Sequence, residues 1–223
     1  MITLHALAQS RSLRIVWLLE LLGLDYRLQQ HERHPDTMLA PDALKSIHPL
    51  GKAPLLQDGE LVLADSGAIT DYLIQSYGQG RFMPARDSAD YWPYQRWLHY
   101  AEASLMPLLL MALVFHKIET APVAFWVKPV VKKVSSKAQN SFIHPQTELH
   151  LRHVEQSLQN SDWLMGGSIS GADIMMSYPL QAAAVRSDLS SYPNIRAYLA
   201  RIEADDAYRR AVEKAGQPIM TLR

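Results

Sequence analysis

Three short stretches of this chain bring together polar groups whose types and spacing could do chemistry. Ser10-Arg11-Ser12 sits between a strand-like stretch and a helix-like one. A hydroxyl there either caps the helix or donates to a bound anion such as a thiolate, which the helix dipole also favours. A free thiol has a pKa of ~8.5, and each unit of lowering is worth ~1.4 kcal/mol. Asp65-Ser66 sits where a strand ends and a helix begins. It reads as a plain cap or as an anion site: free N–H groups plus a hydroxyl suit a ligand carboxylate, and the acid suits a ligand ammonium. Lys52-Ala53-Pro54 opens a strand. A trans proline is permitted there. A cis proline would turn the Ala53 N–H and C=O outward, where an extended peptide-like ligand could pair with them.

Other features point away from chemistry. The nine histidines include two i,i+3 pairs, His31/His34 and His150/His153. Neither has the spacing of a structural zinc site, so they are expected to be solvated surface residues and no metal is expected. Gly166-Gly167-Ser168-Ile169-Ser170-Gly171 fails the serine-hydrolase elbow pattern, because Ser170 stands where its last Gly belongs. Gly51-Lys52 is not a phosphate loop, since Ser46 and Ala53 break the pattern. The chain has no cysteine. Disulfides, Cys-ligated metals and a thiol nucleophile of its own are therefore excluded. Its 22 basic and 22 acidic residues balance, which argues against nucleic-acid and polybasic membrane-surface binding.

The elements that must hold these residues divide the chain of 223 residues into unlike halves. Ile2–Leu7 and Tyr26–Gln30 read as strands around a helix over Leu13–Leu22 that Gly23 stops. Pro41–Lys45 is at most a short helix. Pro54–Gln57 and Glu60–Leu63 flank Asp58-Gly59 as a hairpin, and a helix follows from Asp65-Ser66 to Tyr77. The order β-α-β-α-β-β-α implies a mixed four-stranded sheet with helices packed on it, an α/β domain over 1–78. Residues 79–88 read as a linker, and 89–223 as an all-helical domain. Its expected helices run from Ser88 to Ile118, from Val130 to Gln159 with a break near His144-Pro145, then Pro193–Ala204 and Asp206–Ala215. Ser170-Gly171-Ala172-Asp173 is a capping box for one more. The longest apolar run, Leu105–Phe115, contains Pro107 and falls short of the ~20 residues that span a bilayer.

Taken together, His48-Pro49-Leu50-Gly51-Lys52-Ala53-Pro54-Leu55-Leu56, Leu63-Ala64-Asp65-Ser66-Gly67-Ala68-Ile69, Ser10-Arg11-Ser12-Leu13-Arg14 and the Ser170–Asp173 box resemble the cytosolic glutathione S-transferases. Trp97 to Glu102 is similar to a stretch of that family's bacterial and fungal members. The resemblance implies a thioredoxin-like N-terminal domain, an all-helical C-terminal domain, a homodimer and an active site in the cleft; separately, the first residues show no signal-peptide pattern, so the protein is expected to be cytoplasmic. Pro54 would be cis, with Ala53 pairing the cysteinyl unit of glutathione. Asp65 and Ser66 would hold its γ-glutamyl end, and Lys52 its glycyl end or backbone. With no cysteine and no tyrosine before Tyr26, the thiolate partner is Ser10 first, Ser12 second, with the Arg11 guanidinium as a further candidate. The second substrate, a small apolar electrophile, is expected against Trp97, His99, Tyr100, Ser104 and Met111, where core packing is the competing reading for Trp97 and Met111. Conjugation is the first functional reading. A glutathione-dependent peroxidase acting on organic hydroperoxides and a non-catalytic binding protein are the alternatives.

Overall fold

The structure, a computed structural model, describes residues 1–217. Strand β1 (Ile2–Leu7) pairs in parallel with β2 (Tyr26–His31), from Ile2 opposite Tyr26 to Leu7 opposite His31. Its other edge pairs antiparallel with β3 (Leu55–Asp58), which pairs antiparallel with β4 (Leu61–Ala64). The sheet order is β2-β1-β3-β4. Asp58 faces Leu61 across the hairpin, so the two-residue loop is Gly59-Glu60, one residue later than the Asp58-Gly59 loop expected. Gly59, with φ of 60°, supplies the positive φ that the first loop position needs.

Helix α1 (Ser12–Leu22) makes the parallel crossover and buries nine residues, from Ser12 to Leu19 and Leu22. Gly23 ends it at φ 69°, donating to Glu20 O while Leu24 donates to Leu19 O, the paired bonds of a Schellman stop. The short helix expected over Pro41–Lys45 is a 3₁₀ segment, Asp42–Ser46. Helix α2 (Ser66–Tyr77) then packs Ile69, Leu73 and Ile74 into the core.

The helical half opens at Tyr91, three residues later than expected. Helices α3 (Tyr91–Tyr100) and α4 (Met106–Thr120) are joined without a break by a π turn, Ala101–Leu105. By length and composition this continuous helix could cross a bilayer. Here Trp97, Leu98, Ala101, Leu105, Met106 and Leu109 pack into the protein core. Helices α5 (Lys128–Ala138) and α6 (His144–Ser157) are likewise joined by a π turn at Gln139–Ile143, so the helix continues through His144-Pro145, near which a break was expected. Helix α7 (Gly171–Arg186) runs through the middle of the domain, followed by α8 (Pro193–Ala204) and α9 (Asp206–Ala215).

One polar device holds the helical half together, and another fixes it on the sheet half. The Asp173 carboxylate, fully buried, accepts from the Ser170 amide at 2.8 Å, the Leu164 amide at 2.9 Å and the Ser170 and Tyr198 hydroxyls at 2.8 and 3.1 Å. Burial pushes its pKa up and those donors oppose the shift. On the other side α9 lies against α1: Trp17 Nε1 donates to Asp205 Oδ1 at 2.8 Å, and Arg210 and Lys214 reach Glu20. At α7's start, Gly171 lets Tyr94 and Ile74 pack against the helix backbone. A Cβ there would run into the Tyr94 hydroxyl and come within 2.7 Å of Ile74 Cδ1, against close-packed neighbours.

Candidate active site

A cavity of about 610 Å³ opens between the sheet domain and the helical domain. The first domain lines it with Arg11, Lys52, Ala53, Pro54, Asp65, Ser66 and Gly67, and the second with Leu98, His99, Glu102, Ala103 and Met175.

The Ala53–Pro54 bond is cis. Neither backbone polar group of Ala53 has a backbone partner among the described residues, so both remain available at the cavity wall. Asp65 holds φ 68° and ψ 123°, and its carboxylate makes no bond to the helix it precedes. The plain cap reading therefore fails at this position. An L-residue keeps such a conformation at a cost of ~1–3 kcal/mol, which surrounding structure must offset. Ser66 begins α2, where the first-turn amides lack helical acceptors. Its Oγ accepts from Arg14 Nη2 at 2.5 Å, leaving its own hydrogen to donate.

Arg14 ties the site together. Its side chain is 1% exposed. It donates to Ser66 on α2, to the Glu102 carboxylate in the π turn, and to Met175 O on α7 at 2.7 Å. Burial pushes its pKa down, and the Glu102 charge and hydrogen bond push it back. Glu102 is shared: its second oxygen lies 3.5 Å from Arg11 Nε. The Arg11 side chain is 38% exposed, and its guanidinium sits 5.9 Å from the Tyr178 ring centroid, within cation–π range. The π turn lies between Leu98–His99 and α4 and carries Glu102 and Ala103 on the same wall.

The two serines lie elsewhere. Ser12 Oγ accepts from the Leu7 amide at 3.2 Å. Ser10 Oγ accepts from the Ser12 amide at 3.1 Å and lies 2.7 Å from Leu7 O and 2.9 Å from Ser12 Oγ. Both are buried and neither lines the cavity. The loop's own polar groups use both hydroxyls, and the residue between them faces the cavity.

Of the five residues expected around a second substrate, His99 alone is on this wall. Helical periodicity separates the others. Leu98, His99, Glu102 and Ala103 share one face, while Trp97 and Tyr100 turn away. Trp97 is buried in the core and stacks on His153, with ring centroids 5.5 Å apart. Tyr100 pairs with His150, and burial lifts its hydroxyl pKa to about 12. Ser104 and Met111 lie off this wall. The same contacts correct the solvated reading of His150 and His153, whose pKa values burial lowers. His31 likewise sits 3.2 Å from His5 rather than free on the surface.

Arg14, Glu102, Leu98 and Met175 were not anticipated. Arg14 had a visible signal: a lone arginine on a helix whose apolar residues cover most of its circumference must bury its charge and find partners.

The chain matches the family described as Glutathione S-transferase, N-terminal domain, over residues 10–75, and Glutathione S-transferase, C-terminal domain, over residues 120–207. Glutathione S-transferase 1 of Saccharomyces cerevisiae is 34% identical, over 96% of this chain and 95% of its own length. Glutathione S-transferase 3 of Schizosaccharomyces pombe is 32% identical, over 100% and 91%. The crystal structure of a glutathione S-transferase from Actinobacillus pleuropneumoniae superposes with a TM-score of 0.82 at 42% identity, covering 96% of this chain and 93% of that one. The chain belongs to the glutathione S-transferase family, with its thioredoxin-like and helical domains. Its activity is glutathione transfer.

Proposed function

We propose that glutathione binds in the interdomain cavity, that the Arg11 guanidinium stabilises its thiolate, and that the thiolate is transferred to a small apolar electrophile. One observation carries this assignment: of the three candidate thiolate partners, Arg11 alone lines the cavity. A guanidinium is permanently charged and stabilises an adjacent sulfur anion without giving up a proton.

The remaining walls match the rest of the tripeptide. Its γ-glutamyl carboxylate accepts from the Ser66 hydroxyl and the first amides of α2, favoured by the helix dipole. Arg14, donating to Ser66 Oγ, polarises that hydroxyl. The Asp65 carboxylate, unused by the helix, pairs with the ammonium. The Ala53 N–H and C=O pair with the cysteinyl unit, and Lys52 meets the glycyl carboxylate. Leu98, Ala103 and Met175 give the cavity apolar surface for the electrophile, with His99 as its polar edge. The thiolate attacks the electrophilic atom and a carbon–sulfur bond forms. Any leaving group departs with the bonding electron pair.

Family membership supports reading the chain as a cytoplasmic homodimer. Sedimentation equilibrium should give twice the chain mass of 25.2 kDa, and a mass of 25.2 kDa at micromolar concentration would sink that reading. The thiolate assignment is tested by titrating bound glutathione through its ultraviolet thiolate absorbance. Its pKa should lie well below ~8.5 and return toward it in Arg11→Ala.

A further inference from the structure

A second cavity, of about 220 Å³, lies among α4, α6 and α7 and shares no wall residue with the interdomain one. Its wall combines apolar side chains, such as Leu113 and Val185, with Arg186, Thr147 and two histidines, His116 and His144. Among the described residues no aspartate or glutamate lines it.

Two polar groups on that wall lack partners among the described residues. Thr147 is 7% exposed, and its hydroxyl oxygen makes no hydrogen bond. Arg186 is half-buried with its Nε unpartnered, and its Nη1 makes one long bond, 3.3 Å, to Ala182 O in the preceding turn. No carboxylate pairs with it among the described residues. Burial pushes its pKa down, and only Tyr178 opposes the shift. Buried polar groups and charges are costly when unpaired, and a guanidinium and a carboxylate match in a two-pronged geometry. One permanent cation suits one negative charge. The apolar walls suit a compact hydrocarbon body rather than a free inorganic ion.

We propose that this cavity binds a small monocarboxylate with an apolar body, its carboxylate held by the Arg186 guanidinium and the Thr147 hydroxyl. The site is separate from the glutathione site, so each reading stands or falls alone.

Benzoate is the probe, with benzyl alcohol as the neutral control of similar shape. Both are titrated calorimetrically into the wild type, Arg186→Met and Thr147→Val, with the KM for glutathione followed alongside. The wild type should bind benzoate saturably and benzyl alcohol about 10-fold or more weakly. Arg186→Met should weaken benzoate by about 10-fold or more, and Thr147→Val by about 2–10-fold. The glutathione KM should stay unchanged, and saturating glutathione should leave benzoate binding intact. The proposal is overturned if benzoate does not bind saturably, if benzyl alcohol binds equally well, if Arg186→Met binds as the wild type does, or if glutathione displaces benzoate. Should Arg186→Met not fold, Thr147→Val decides: unchanged benzoate affinity in that variant overturns the site.

Discussion

Replacing Arg11 by alanine should raise the pKa of bound glutathione by about 1–2 units. Two unit charges about 4 Å apart interact by about 4 kcal/mol at the effective dielectric of about 20 that suits a partly exposed pair. Glu102, 3.5 Å from Arg11 Nε, cancels part of that field. Glu102 is also shared with the buried Arg14, so the cancellation is incomplete. About 1.5–3 kcal/mol then remains, equivalent to about 1–2 units of pKa. The wild-type bound thiol should therefore titrate about 1–2 units below ~8.5. At pH about 6.5, Arg11→Ala should lower turnover at saturating glutathione about 10–50-fold, because less thiolate is present. Above pH about 9.5 both proteins hold thiolate, and the ratio should close. Ser10→Ala is the contrast: it breaks loop hydrogen bonds to Leu7 and Ser12 and should cost about 1–2 kcal/mol of stability, with the thiol pKa unchanged. The assay is thiolate absorbance against pH for the three proteins. If Arg11→Ala leaves the pKa unmoved while Ser10→Ala raises it by about a unit, the serine leaves its loop bonds on binding and holds the thiolate in place of Arg11.

Three further substitutions probe the supports of the site. Arg14→Met strips the buried donor from Ser66, Glu102 and Met175 O; it should cost about 3–5 kcal/mol and raise the glutathione KM, and an unchanged denaturation midpoint would contradict that. Asp173→Ala orphans the Leu164 and Ser170 amides and the Tyr198 hydroxyl; urea denaturation should show about 3–4 kcal/mol lost, with Asp173→Asn losing less. Glu20 shows the pH dependence. Burial pushes its carboxyl up, but Lys214, Tyr26 and Arg210 together hold it below the ordinary value of 4.5. A depressed pKa contributes stability that is present above about 4.5 and is lost as pH falls through the folded value. Glu20→Gln should thus lower Tm by about 2–4 °C near neutrality, for about 1 kcal/mol, and the difference should vanish in acid. A difference that grows in acid would mean that folding raises the Glu20 pKa instead.

Strand and helix positions in the first half were legible because their signals are local. Gly23 stops α1, Gly59 turns the hairpin, and Asp65-Ser66 marks the start of α2. The cap at Ser170–Asp173 was legible for the same reason. The π turns at Ala101–Leu105 and Gln139–Ile143 were not. Each is followed by a proline, Pro107 or Pro145, whose missing N–H marks a disturbed turn without saying that the helix carries on through it. Position within a stretch did not reveal direction. Ser10, Arg11 and Ser12 are neighbours, yet the loop turns the two hydroxyls inward and the guanidinium into the cavity. The same holds from Trp97 to Ala103, where helix phase divides core from cavity wall. Arg14 and Glu102 are 88 residues apart, and only the packing of α1 against the π turn brings them together.

A crystal structure of the glutathione complex measures directly where the bound sulfur lies. The sulfur should sit within about 3.5 Å of an Arg11 guanidinium nitrogen, with the γ-glutamyl carboxylate on the Ser66 hydroxyl and the cysteinyl backbone on Ala53. A sulfur bonded instead to Ser10 or Ser12 Oγ, with Arg11 turned to solvent, would contradict the account.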